Sequence, residues 1–233
     1  MTKIISVVNC LKDTGKTQTA LRLAKLLASY GHKCLLVDAD PHATLTGLQQ
    51  LPRPVLSWYS SFKADKPFEP RELTDNLSII TSEGELAHAD FERSLETDFP
   101  NLKAWLLPHF AGYDFVLIDT PAAAGFLAQS MVAISDSMIL PLRVDDMFLM
   151  GLKRNNQTLE EAGRFGQPNQ IIAVFPKSVN VNPRAPELYP AIEEYVKQHL
   201  ASFKYASSRS PANEPVWKFL GLTDYYDIFM ELL

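Results

Sequence analysis

The chain has 233 residues, 46% hydrophobic and 21% charged, with a formal net charge of −5. At about 150 residues per domain this fits one large α/β domain or two small ones, and the balance excludes disorder and coiled coil. Cys10 and Cys34, the two cysteines, are too few for a disulfide framework or a cysteine-built zinc site, and the acidic balance argues against a strongly basic nucleic-acid binder while leaving room for a local basic patch.

Met1-Thr2-Lys3 runs into an apolar stretch without the features of a signal peptide, and no apolar run approaches the ~18 residues of a membrane span, so a cytoplasmic protein is expected. Ile4-Ile5-Ser6-Val7-Val8 reads as a buried strand. Thr17 to Tyr30 carries Ala20, Leu21, Leu23, Ala24, Leu27 and Ala28 on one helical face and stops at Gly31. Further strands are expected at 34–37, 77–80, 115–118, 138–140 and 171–175. Helices are expected at 84–95, 102–110, 126–134, 149–161 and 186–200. Leu51 to Pro70, rich in proline and aromatics, reads as a surface excursion. Thr223 to Leu233 reads as a short helix whose apolar face, Ile228, Phe229, Leu232 and Leu233, packs on the body. Continuous apolar strands alternating with helices predict an α/β fold: a single three-layer domain over residues 1–233, with a mostly parallel twisted sheet and helices on both faces.

The first strand-to-helix junction is Asn9-Cys10-Leu11-Lys12-Asp13-Thr14-Gly15-Lys16-Thr17. Gly15-Lys16-Thr17 after a strand and before a helix is the second half of a phosphate loop: the helix start offers free N–H groups, Lys16 reaches the β- and γ-phosphates, and the Thr17 hydroxyl can ligate Mg²⁺. Cys10 stands where the first glycine of that motif belongs. Val37-Asp38-Ala39-Asp40-Pro41 ends the second strand with two carboxylates, and Phe115 to Asp119 ends another with one. Each Asp alone could be a helix cap or turn residue; together with the loop they point to a nucleotide–Mg²⁺ site.

In order and spacing, the segments LKDTGKTQTA, KCLLVDADPHATLT, NLSIITSEGELAHAD, YDFVLIDTPAAAG and MILPLRVDDMFLMGL resemble the ParA/MinD family of deviant-Walker ATPases, over about residues 3 to 153. The resemblance implies a P-loop NTPase fold, ATP and Mg²⁺ as ligands, and slow ATP hydrolysis stimulated by a partner. Leu11, Lys12, Asp13, Thr14, Gly15, Lys16, Thr17 and Gln18 would form the phosphate loop, with Lys16 and Asp38 catalytic. Asp38 would orient or activate the attacking water, and Asp40 is the second acid of that motif. Thr17, Asp38 and Asp119 would serve the metal. Ala173 to Arg184 sits where the family contacts adenine, which implicates Pro176 and Lys177.

The family's signature lysine, which crosses the dimer interface to the partner's nucleotide, falls on Leu11 here, and two family glycines become Lys12 and Asp13. Three accounts stand: Lys12 does the job from one place along; Lys153, after Gly151-Leu152, reaches across in trans; or the chain binds ATP weakly and never hydrolyses it. The absent lysine also makes the chain similar to the McdA subset, which spaces carboxysomes along the nucleoid.

The resemblance implies an ATP-dependent homodimer that holds DNA non-specifically, associates with the nucleoid, and positions or partitions a plasmid, chromosome or carboxysome with a ParB- or McdB-like adaptor. Membrane docking is not expected, because the tail has no Lys or Arg after Lys218. From residue 153 onward nine basic residues balance nine acidic ones, so no DNA-contact residue can be named. The alternative is a nucleotide-binding, catalytically weak scaffold in a secretion, conjugation or polysaccharide-synthesis complex, to which the Lys12-Asp13 replacement points.

Overall fold

The computed structural model describes residues 1–51, 57–143, 148–166, 168, 170–176, 216–223 and 225–233. Among these, β1 (Lys3–Val7), β2 (Cys34–Asp38), β3 (Arg71–Thr74), β4 (Leu77–Ile80), β5 (Phe115–Asp119), β6 (Ser137–Pro141), β7 (Gln170–Pro176) and β8 (Val216–Thr223) form one sheet in the order β3-β4-β2-β5-β1-β6-β7-β8. All neighbours pair in parallel except β3 with β4. The helices are α1 (Lys16–Ser29), α2 (Thr44–Leu48), α3 (Trp58–Lys63), α4 (Ala89–Glu92), α5 (Phe99–Leu106), α6 (Phe126–Ala133), α7 (Phe148–Ala162) and α8 (Tyr225–Leu232).

The sheet is covered on both faces because its central strands are apolar in both directions. Ile5, Val7, Leu36, Leu117 and Ile139 meet α1 and α8 on one face; Ile4, Leu35, Val37, Val116, Ile118 and Leu140 meet α3, α5, α6 and α7 on the other. The tail packs through three of its four expected apolar residues, whereas Leu233, the last residue and beyond the end of α8, is exposed. Ile228, Phe229 and Leu232 are buried, the Phe229 and Tyr30 rings lie 4.7 Å apart, and Lys3 Nζ donates to the Leu232 carbonyl at 2.6 Å.

The expected α/β fold and its six strands are present, with four differences in the rest. The stretch from Leu51 to Pro70 is not merely a surface excursion: Ser57 caps α3, and Trp58 and Tyr59 are each 1% exposed, because their rings fill the space between the sheet and α5. The single helix expected at 84–95 is a 3₁₀ turn, Gly84–His88, followed by α4, and ends where Arg93 turns extended. The helix expected at 102–110 begins earlier, at Phe99, and becomes 3₁₀ from Leu107, where Pro108 removes an N–H. β3 and β8 are additional edge strands, and β8 takes Thr223, so the last helix starts at Tyr225. The helix expected at 186–200 lies outside the described residues.

Candidate functional site: a phosphate cleft at the carboxyl ends of the strands

Sheet register brings the three strand ends together. Asp38 of β2 pairs with Asp119 of β5, and Asp119 with Val7 of β1, after which the chain enters the phosphate loop. Ligands in open parallel sheets bind at this end, where the chain leaves a central strand to opposite sides. A cleft of about 570 Å³ opens there, lined by Lys12, Asp13, Gly15, Lys16, Thr17, Gln18, Asp40, His42, Thr44, Leu48 and Ala122.

The loop is built for anions at its helical end. Gly15 precedes α1 at φ 90°, a left-handed conformation that favours glycine. No side chain caps the helix and no acidic residue occupies its first turn, so its first N–H groups and its positive dipole end face the cleft. Asp13 also adopts the left-handed region, at φ 58°, which a non-glycine residue enters at some cost and Asp more readily than most. Lys16 is only 7% exposed, and its Nζ donates to the Leu11 carbonyl at 3.1 Å. Burial lowers the Lys16 pKa, opposed first by the charges of Asp119 and Asp40.

Asp38 is fully buried and tightly held. Its Oδ2 accepts from the Thr46 N–H at 2.8 Å and the Thr46 hydroxyl at 2.7 Å, and its Oδ1 accepts from the Asp40 N–H at 3.2 Å. The Thr46 oxygen in turn accepts from the Ser82 N–H, while the Ser82 hydroxyl donates to the Asp40 carbonyl at 2.7 Å. Trp58 Nε1 donates to the Asp38 carbonyl at 3.0 Å. Burial pushes the Asp38 carboxyl up to about 6, against the lowering effect of the Thr46 bonds.

Asp119 is equally buried, and the contrast lies in its partners. The Thr17 hydroxyl is near enough to favour its charged form, yet neither carboxylate oxygen has a hydrogen-bond partner of good geometry. Burial raises its pKa, opposed by Thr17 and by the charge of Lys16. Two buried carboxylate oxygens beside a threonine hydroxyl and a phosphate-loop lysine could help hold a magnesium ion that arrives with a nucleotide. Among the described residues no group of three or more His, Cys, Asp or Glu could hold a metal ion by itself. The loop after β5 is braced from outside: Asp90 Oδ1 accepts from the Leu127 N–H at 2.9 Å, near the start of α6.

Of the loop residues singled out from sequence, Lys12, Asp13, Gly15, Lys16, Thr17 and Gln18 line the cleft. Thr14, Asp38 and Asp119 are buried and Leu11 accepts from Lys16 through its carbonyl; none of these four is in the lining. Lys153 lies exposed on α7, apart from the cleft lining. Pro176 ends β7, and Lys177 lies outside the described residues. Sequence reasoning missed His42, Thr44, Leu48 and Ala122 in the lining, and Thr46, Ser82 and Trp58 around Asp38. The available signal was positional: Thr81-Ser82 follows β4 just as Asp38 closes β2 and Asp119 closes β5.

Residues 2–169 match the AAA domain family AAA_31. The chain is 31% identical over 166 residues to the chromosome partitioning protein ParA of Myxococcus xanthus, covering 68% of this chain and 58% of that protein. It is 32% identical over 164 residues to the chromosome-partitioning ATPase Soj of Treponema pallidum, covering 69% and 64%. The aligned part thus spans less than two thirds of these relatives. A plasmid partition protein from Borrelia burgdorferi shares the fold with a TM-score of 0.75 at 21% identity, over 99% of this chain and 97% of that one. An ATP complex of Cyanothece McdA does so with a TM-score of 0.68 at 24% identity, over 84% and 80%. With the phosphate loop and the paired strand-end carboxylates in place, these matches establish that the chain belongs to the ParA/MinD family of ATPases.

Proposed function

We propose that the chain is an Mg-ATP-switched ATPase of ParA type: it dimerises with ATP, holds DNA without sequence preference in that state, and is reset when an adaptor protein stimulates hydrolysis. In this reading it positions or partitions a plasmid, chromosome or carboxysome on the nucleoid. The observation that carries the reading is the buried Asp119 carboxylate, without a hydrogen-bond partner of good geometry, near Thr17 and Lys16 at the uncapped start of α1.

Each residue has a distinct part. The first N–H groups of α1 and Lys16 neutralise phosphate charge, and Lys16 exchanges the Leu11 carbonyl for phosphate oxygen. Thr17 and Asp119 would hold Mg²⁺, which when bound would supply charge neutralisation at the phosphates. Asp38 has both oxygens engaged by Thr46 and the Asp40 N–H, so it serves an attacking water better than it serves the ion. Its pKa near 6 leaves it mostly ionised at neutral pH and able to accept a proton. Lys153, exposed on α7, supplies in trans the charge that Leu11 cannot. ATP thereby biases a monomer–dimer equilibrium that hydrolysis resets.

Retention on non-specific DNA tests this, with Mg-ATP, Mg-ADP or no nucleotide, at two salt concentrations. Retention by the ATP form alone, falling steeply with salt, is expected; indifference to nucleotide overturns it. Asp13 favours the second reading, a catalytically weak scaffold, because it places negative charge in the cleft lining. Turnover that stays at background with ATP bound, with and without candidate adaptors, would favour that scaffold.

A further inference from the structure

Three successive residues at the start of the phosphate loop are fastened to one helix. Asn9, 1% exposed, donates through Nδ2 to the Pro141 carbonyl at 2.7 Å, and its Oδ1 accepts from the Leu11 N–H at 2.9 Å and from Asn155 Nδ2 at 3.2 Å. The Cys10 N–H donates to Asn155 Oδ1 at 2.8 Å, and the Cys10 sulfur lies 3.3 Å from the Thr158 hydroxyl. Leu11 packs so closely on α7 that a Cβ at Gly151 would fall 2.6 Å from its Cδ1. This explains how a cysteine replaces the first motif glycine: its side chain points at α7 and does not line the phosphate cleft.

Gly151, Asn155 and Thr158 form a buried stripe at helical spacing, whereas Lys153 and Arg154 are exposed. Asn155 is the centre of the stripe. Asn is a poor former of helix interiors, and a buried amide is tolerated only when bonded. Here it is 1% exposed and bonded on both ends, with Nδ2 also donating to the Gly151 carbonyl at 2.8 Å. The segment it holds carries the Leu11 carbonyl on which Lys16 rests.

We propose that Asn155 is a positioning residue: it fixes the start of the phosphate loop to α7, so that phosphate held by the loop is reported to the helix that carries Lys153. This rests on the nucleotide-binding reading above.

The test uses the full chain with Asn155→Ala, Asn9→Ala, the double variant, and Asn156→Ala as a control, since Asn156 bonds Glu160 on its own helix. Mg-ATP affinity is titrated calorimetrically beside circular dichroism and melting. Each single variant at positions 155 and 9 weakens Mg-ATP binding about tenfold, as loss of a buried hydrogen-bond partner implies. The double variant is no weaker than the worse single, because both belong to one latch. Asn156→Ala binds as wild type. Should Asn155→Ala lose its secondary structure, Asn155→Asp gives the reading instead: it keeps the bond from the Cys10 N–H and loses both donors, and its affinity falls with the fold intact. Wild-type affinity in a folded Asn155 variant that merely melts lower, or independent and multiplying losses in the double variant, would overturn the inference alone. A wild-type chain that binds no Mg-ATP would bring down the nucleotide reading and this inference with it.

Discussion

On the β2–β5 side of the cleft, two carboxylates stand at paired strand ends, one wrapped in hydrogen bonds and the other without a partner. On the α7 side the described contacts are uncharged hydrogen bonds and packing: an asparagine, a cysteine and a leucine are seated on a helix. In the proposed function the first side supplies the groups that would act on a nucleotide, and the proposed latch makes the second side the one that sets where the loop lies. Charge can be placed by strand register alone, whereas loop position depends on side chains meeting across more than a hundred residues of sequence.

The largest effect is expected at Lys16. Lys16→Ala removes the buried one of the two lysines that line the cleft, and Mg-ATP affinity is expected to fall by at least about a hundredfold in a titration. A loss under threefold would contradict the role given to the loop.

Asp38→Asn should leave nucleotide affinity nearly unchanged and reduce single-turnover hydrolysis by about a hundredfold or more. The same variant tests the electrostatics. A carboxyl raised to about 6 binds its proton in the folded state before the unfolded one does. Its stabilisation is therefore present below about pH 4 and lost as pH rises through about 6. Without nucleotide, wild type should gain up to about 3 kcal/mol over Asp38→Asn as pH falls from 7 to 4, read from urea unfolding. A pH-independent difference would show that Asp38 titrates normally.

Trp58→Phe removes the indole N–H from the Asp38 carbonyl and should cost about 2 kcal/mol of stability. An unchanged melting temperature would put α3 outside the support of the site. The smallest effect is expected at Asp13. Asp13→Gly relieves a left-handed residue and removes a negative charge from the cleft lining, so stability should rise by up to roughly 1 kcal/mol and Mg-ATP should bind several-fold tighter. Weaker binding would mean that the aspartate itself contributes.

The two sides also differ in how far they could be read in advance. Asp38, Asp119 and Gly15-Lys16-Thr17 were legible because each follows an apolar strand or opens a periodic helix, and local pattern fixes both. Trp58 and Tyr59 were not: among prolines and charges, an aromatic pair looks the same on a surface as under α5, and only packing against the sheet decides. Asn155 is one of two adjacent asparagines in a helix, and helical phase turns one toward the loop and the other along α7. Cys10 looked like a defect in a motif because nothing local shows that a helix beginning at Phe148 receives its sulfur. β3 is a four-residue edge strand with one apolar residue, too short for a periodic signal although its partner β4 follows directly, and β8 is an edge strand whose partner β7 lies far earlier in the sequence.

The most direct measurement is the molar mass in solution of Asp38→Ala, which should bind ATP without consuming it, with Mg-ATP and with Mg-ADP, beside the same variant carrying Lys153→Ala. The expected result is twice the chain mass of 26.1 kDa with Mg-ATP only, reverting toward the monomer when Lys153 is removed although ATP still binds. A species of one chain mass with ATP demonstrably bound would contradict the ATP-switched dimer.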